Sequence, residues 1–583
     1  MNKLAYLLLK CSIASLLILS IYSCSKDQKE VTLSAYLTPV ENSSSKIVVD
    51  AFDTYWSNGD EVWVNNQSNC IINVSGNEGI ATIAGISASD SYRAIFPSSI
   101  VREDDIANLN TIRVHLPSEQ LYQNDGNGQQ VQIPMGAYSN GRTLQFRNLC
   151  SLLKVTVNND NASSIELSSI EVSAMDQGVS LCGEGTAQVN GTAADGIAMD
   201  AGGCNWVSLI FPENNQPTLA PGASGSYYIV LPAFGSESAP KDVMITIFTT
   251  QGYSSQPLTG KYLPCNMIAA VSCNVSSSLV KPVPDNVTIP QGVIPGVYSI
   301  AANNKVFFSK GNLQFNAAQG THAVASGGTK NGTWRFAEHQ YDICGSNNQY
   351  ISSAYDGWID LFGWGTSGFD NTAVMTLATN FEPFSSNTSS SNYGPVTGYN
   401  LRGDVANYDW GVYNTISSAP NTTWRTMTIS EWRYLMSFAE NTRQLYASSH
   451  TEGGETKKMV YTKVTINGCN GVLLFPDAFV CPIHYECYRF QNATTIWNNC
   501  RQLSAQQFLQ FEKRGCVFLP AAGRRRNTTW DQENTLYWST DCMNMINNRD
   551  QAKGILISTA DIGSTDFFRA FGGSVRLVHV ISQ

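Results

Sequence analysis

Trp206-Val207-Ser208-Leu209-Ile210-Phe211, Tyr227-Tyr228-Ile229-Val230-Leu231 and Val243-Met244-Ile245-Thr246-Ile247-Phe248 decide the fold class of the first half of the chain. Each is a short run of β-branched and aromatic residues, and Gly, Pro, Asn and Ser separate the runs. Glu61-Val62-Trp63-Val64 and Leu152-Leu153-Lys154-Val155-Thr156-Val157 read the same way, and Gly59-Asp60 is a hairpin-type turn signal before the first of these. From Val31 to about Ser278 no segment holds apolar residues at helical spacing for three turns. Many short strands with such breaks predict a sandwich or barrel.

Towards the C-terminus, residues 276–295 form a linker. Ser276-Ser277-Ser278 is followed by Pro282, Pro284, Pro290 and Pro295, a composition that is extended and stiff. From Gly296 the pattern changes. Val297-Tyr298-Ser299-Ile300 and Lys305-Val306-Phe307-Phe308-Ser309 start a new strand set. Thr428-Ile429-Ser430-Glu431 and Ser504-Ala505-Gln506-Gln507 are capping boxes, so each predicts a helix start. The second helix should stop at Gly515. Trp432, Leu435 and Met436, then Phe508 and Phe511, fall at helical spacing and are expected to face a core. Two short helices among strands make residues 296–583 an α+β domain.

Towards the N-terminus, Lys3 and Lys10 precede a short apolar run, Ser12 to Ile21, and then Tyr22-Ser23-Cys24. The run is too short to span a bilayer and reads as a secretory signal. A small residue directly before Cys24 resembles a bacterial lipobox. That resemblance implies cleavage between Ser23 and Cys24, lipid on Cys24, and anchoring to the outer membrane. Ordinary signal cleavage, with Cys24 a chance thiol, is the alternative. The charged Ser25-Lys26-Asp27-Gln28-Lys29-Glu30 resembles the surface-export signal of Bacteroidetes lipoproteins.

Composition narrows the function classes. The net charge of −10 over 583 residues argues against nucleic acid as a partner. Only 14% of residues are charged, as in secreted β-rich proteins. Six of the 15 cysteines lie between Cys70 and Cys273 and seven between Cys344 and Cys542, beyond Cys11 and Cys24. Export permits disulfides, although spacing does not give their pairing.

Four phrases in residues 24–275 resemble the fimbrillin-like family of Bacteroidetes surface lipoproteins. They are Trp56-Ser57-Asn58-Gly59-Asp60-Glu61-Val62, Tyr92-Arg93-Ala94-Ile95-Phe96-Pro97, Phe146 to Val155, and Tyr228-Ile229-Val230-Leu231-Pro232. The resemblance implies two tandem β-sandwich subdomains. Residues 296–583 resemble a C-terminal domain of Bacteroidetes and Fibrobacter surface proteins, related to the C-type-lectin-like and formylglycine-generating-enzyme-like fold. Seven blocks in order carry it: Val306 to Gln314, Trp334-Arg335-Phe336-Ala337, Asp360 to Thr366, Trp424 to Trp432, Phe518 to Gly523, Tyr537-Trp538-Ser539 and Gly573 to Val578.

Catalytic motifs are missing: there is no G-x-S-x-G, Walker loop, Rossmann fingerprint or H-E-x-x-H. Cys516 and Cys542 do not align onto the copper-binding cysteine pair of the related enzymes, so the expectation is no catalysis and no cofactor. Cys481, His484 and Cys487 have metal-ligand spacing, but disulfides or loop packing suit an exported chain better, and no metal is expected. Arg402-Gly403-Asp404 matches an integrin-recognition tripeptide and is read as an ordinary turn. Arg524-Arg525-Arg526 is read as a solvated turn tip. Aromatic residues are the candidates for ligand contact. Tyr399, Tyr408 and Trp410 lie in loop-like sequence rich in Gly, Asn and Asp, while Trp358 and Trp364 are expected in the core.

The expectation is therefore a mostly β protein with residues 1–23 removed, a tandem sandwich over 24–275, a linker over 276–295 and a lectin-like α+β domain over 296–583. Its expected role is surface adhesion or ligand binding, as a pilus tip or accessory subunit or standing alone. Expected partners are the outer membrane through the lipid, other pilus subunits, and a host or bacterial glycan or protein ligand. Two alternatives stay open: glycan capture for nutrient uptake, and an enzyme on the formylglycine-generating-like fold.

Overall fold

The computed structural model describes residues 30–37, 41–42, 56–74, 80–103, 108–124, 129–176, 178–191, 195–201, 203–275, 279–350, 355–372, 393–395, 399–436, 438, 450–452, 455–457, 460–479, 496–526, 529–543 and 551–582. Ser23, Cys24, Ser276 to Ser278 and the Cys481 to Cys487 motif lie outside the described residues. The protein is mostly β with a small helical component, as the sequence runs predict.

The first strands close into a barrel. Their order is Glu30–Leu37, Thr143–Asn148, Met135–Ser139, Tyr92–Phe96, Glu61–Val64, Gln67–Val74 and Ile80–Ser87. Side chains in Glu30–Leu37 alternate between exposed and buried, which is the period-2 signature of a strand with one face on a core. Trp56 stands edge-on to Phe96 at 5.4 Å and to Phe146 at 5.1 Å, so three of the quoted sequence phrases meet in one core. Gly59, at φ +94°, turns the chain into Glu61–Val64, and the Asp60 carboxylate accepts from Ser57 N at 2.9 Å.

The next strands form a sandwich. One sheet runs Glu41–Asn42, Met267–Val275, Ser151–Asn159, Ser224–Leu231. The other runs Gly252–Lys261, Lys241–Thr249, Ile165–Ala174, Trp206–Ile210, Glu119–Leu121, with Thr218–Leu219 attached to Ile165–Ala174. Val155, Val157, Ile229 and Leu231 from the first pack with Ile170, Val172, Trp206, Ile245 and Ile247 from the second. The three runs that decide the fold class thus meet across one apolar layer.

In the C-terminal half, Asn304–Phe308 pairs with Tyr298–Ala301 on one side and with Val578–Val580 on the other, so the first and last strands of this half share one sheet. Among the described residues, three α-helices interrupt the strands: α1 (Trp410–Tyr413), α2 (Ile429–Leu435) and α3 (Ala505–Glu512). Both predicted capping boxes form. Thr428 Oγ1 accepts from Glu431 N at 3.1 Å while Thr428 N donates to Glu431 Oε2 at 2.8 Å. Ser504 and Gln507 repeat the exchange at 3.1 and 2.9 Å. Trp432, Leu435, Met436, Phe508 and Phe511 are all buried. After α3 the chain turns at Gly515 (φ +80°), where a Cβ would lie 2.6 Å from Gly296 Cα. Two backbones touch there, and only glycine permits it.

The two halves are packed together. Arg514, directly after α3, reaches into the sandwich with no exposed side-chain area. Its guanidinium donates to Glu171 Oε1 and to Thr246 Oγ1, each at 3.1 Å, and lies over the Phe248 and Tyr253 rings. Lys513 approaches Glu119 at 3.6 Å and lies over Trp206. The start of the Pro-rich segment is held on both sides: Tyr253 and Val280 exchange backbone hydrogen bonds of 2.9 and 2.8 Å, and Pro282 O accepts from Val297 N at 3.0 Å.

The Arg524-Arg525-Arg526 expectation is corrected. These residues form a strand, so alternate side chains face opposite ways. Arg525 is fully buried, and burial pushes its guanidinium down to about 9. Arg524 pairs with Asp531 at 2.9 Å, and only Arg526 is exposed.

Candidate functional site

A cleft of about 550 Å³ opens beside Trp358 in the C-terminal half. A hairpin, Leu313–Ala323 with Thr329–Phe336, builds one wall, and its register sets Gln314 opposite Arg335. Gln314 is buried, and its Oε1 accepts from Arg335 Nε at 3.0 Å. The Arg335 guanidinium stacks 3.7 Å from the centre of the half-buried Trp358 ring. Trp358 is held in place by the next residue, Ile359, which exchanges backbone hydrogen bonds with Phe315. The chain from Glu338 to Cys344 makes the rim. Asp342 accepts from His339 N at 2.8 Å, and the His339 ring stacks on Tyr341.

Behind Cys344, which lines the cleft, lies a buried polar network. Asp360 accepts from Asn348 Nδ2 at 2.7 Å and from Cys344 N at 2.9 Å, and burial pushes its carboxyl up to about 6. Burial likewise drives the Cys344 thiol well above its ordinary value and pushes Cys469 up to about 12. Shifts in that direction disfavour the thiolate that nucleophilic chemistry uses. The far side is the hairpin tip Asn467-Gly468, where φ is +49° and +79°. Two consecutive positive φ values mark a type I′ turn, and Asn-Gly is its preferred pair. The same tip borders a second cleft of about 480 Å³ between the two halves, lined by Asp176, Ser180, Asn205, Ser504 and Gln507 among others. The cleft beside Trp358 is lined by a half-buried indole, an arginine, carboxylates and amides, which suits recognition of a polar ligand with some apolar surface.

The three candidate aromatics do not form a site. Trp410 has no exposed area and Tyr408 is 7% exposed. Both join Trp364 in one apolar cluster, because Asp409 caps α1 and turns Trp410 inward. Tyr408 donates to Asp370 at 2.7 Å, and burial pushes its hydroxyl up to about 12. Tyr399 alone is open, at 61% exposure. Trp364 is in the core as expected, whereas Trp358, expected there too, borders the cleft. Arg402 and Asp404 are exposed at a short 3-10 turn, and Arg402 pairs with Asp541 at 2.7 Å. Arg335 and Gln314 lie inside two quoted family blocks but were not singled out; the signal available was the Asn467-Gly468 hairpin facing them. Among the described residues, no group of three or more His, Cys, Asp or Glu is arranged to hold a metal.

No family model matches the chain, and no curated protein does. Among solved structures, a "putative cell adhesion protein" from Bacteroides uniformis is 13% identical, with 44% of this chain and 96% of that one covered and a TM-score of 0.27. Counterparts of the same description from Bacteroides ovatus and Bacteroides fragilis are 14% and 13% identical, at TM-scores of 0.25 and 0.23. Each covers 42% of this chain, and 92% and 94% of their own lengths are matched. Likenesses at these scores carry no argument about role.

Proposed function

We propose that this chain is an exported surface lipoprotein that binds a ligand without catalysis, and that its ligand is a carbohydrate held in the Trp358 cleft. The observation that carries the reading is the half-buried Trp358 ring beside Arg335, Gln314 and the rim carboxylates. Sugar rings present an apolar face and a polar edge, and this wall offers both complements. The signal and lipobox patterns over residues 1–24 support tethering at a membrane. The fimbrillin-like phrases support a role in adhesion. Met267–Val275, the strand that leads into the Pro-rich segment, is paired by Ser151–Asn159 from Ile268 to Val275 and by Glu41–Asn42 at Met267 and Ile268, and its chain runs on into the C-terminal half. This supports a terminal or stand-alone position rather than a repeating stalk position.

A glycan array probed with the full chain tests the proposal. Binding is expected, with Trp358→Ala weakening it about tenfold, or roughly 1.4 kcal/mol. Tyr399→Ala should leave it unchanged. An array without hits, or binding indifferent to Trp358→Ala, would refute the cleft as the site.

A further inference from the structure

Cys182 and Cys204 face each other as direct partners in an antiparallel bridge between two otherwise separate segments of the sandwich. Directly opposed residues in antiparallel chains lie about 4.5–5.5 Å apart at Cα. A disulfide spans Cα separations of about 4.4–6.8 Å. Both side chains are buried, and Cys182 Sγ lies 3.8 Å from Cys204 O. Glycines beside the pair bring the backbones this close. A Cβ on Gly203 would sit 2.4 Å from Cys182 O, and Gly183 turns at φ +107°. Other described cysteines on paired strands face different residues: Cys70 faces Val62, Cys273 faces Val157, Cys469 faces Ile466 and Cys542 faces Ala552. Both members of the pair are thiols in the structure.

We propose that Cys182 and Cys204 form a disulfide in the exported protein, made before α3 docks over them. The inference rests on the export reading of residues 1–24. The oxidant is a disulfide, either of an envelope dithiol oxidoreductase or of glutathione. The Cys204 thiolate attacks one oxidant sulfur, forming a mixed disulfide and releasing the other sulfur as a thiolate. Cys182, after losing its proton to solvent, attacks the Cys204 sulfur and expels the second thiolate. The protein loses two electrons and two protons, and the oxidant disulfide becomes two thiols. The roles of the two thiols can be exchanged without changing the product. Order of assembly matters because Gln506 Oε1 of α3 lies 3.2 Å from Cys204 Sγ and seals the pair.

The test is thiol mapping of the full chain isolated from the cell envelope, acid-quenched and alkylated in denaturant. The expected result is one cross-linked species joining the peptides that hold Cys182 and Cys204. Complete alkylation of both cysteines in envelope protein, or a link from either to another cysteine, overturns the proposal. Recovery of the chain in the cytosol would instead overturn the export reading. Reduced, unfolded chain refolded with a glutathione redox pair then decides the pairing alone: a Cys182–Cys204 link is expected, and its absence refutes the geometry. Native protein should also lose the link at least roughly tenfold more slowly to a reductant than denatured protein does, since exchange depends on access.

Discussion

Trp410 and Trp358 carry the same side chain in similar sequence, and their surroundings give them opposite roles. Trp410 sits among Phe362, Leu577 and other buried residues of the C-terminal core, whereas Trp358 has one side against Arg335 and another on a cleft. Trp410→Ala should therefore destabilise the protein by about 3–5 kcal/mol through lost contacts and a cavity. Tyr399→Ala, at an exposed position, should change stability by no more than about 0.5 kcal/mol. Denaturant unfolding of both variants checks the contrast, and a small Trp410 effect would count against its burial. Aromatic, Gly-rich sequence identifies residues able to contact a ligand. It does not reveal which of them non-local packing consumes: Tyr408 and Trp410 are buried, while Trp358 borders the cleft.

At the scale of elements, local signals were legible because they depend on neighbours a few residues away. Both capping boxes, the Gly515 stop and the β runs of the sandwich could be read from sequence. Ser504→Ala removes the acceptor for Gln507 N and should cost about 1 kcal/mol, measurable as a lowered unfolding midpoint with unchanged slope. An unchanged midpoint would mean that docking, not the cap, holds α3. Arg524-Arg525-Arg526 shows the limit of charge as a guide. A strand aims alternate residues to opposite sides, and Arg525 follows the backbone inward despite its charge. The cleft was less legible than the helices, because its walls come from a hairpin near residue 320, a loop near 345 and a turn at 467.

For the whole molecule, sequence composition marks a change of character after the Pro-rich segment, but the contact between the two halves is not legible in it. Arg514 and Glu171 are 343 positions apart, and no local pattern couples them. Glu171 is fully buried, so removing its partner leaves a carboxylate without its counter-charge. Arg514→Ala should cost about 3–5 kcal/mol, and replacing both residues by Met should recover much of the loss. Thermal unfolding of the single and double variants tests this; a double variant no better than Arg514→Ala would show that the pair is not the source of the coupling.

The fastening of the linker has a mechanical consequence. If the chain is tethered and holds a ligand, as proposed, a pull between tether and ligand crosses the segment that ends near Gly296. The load is shared there by the Tyr253–Val280 bridge and the buried Arg514 contact rather than passing along a slack tether. Pulling the two halves apart would have to break these contacts.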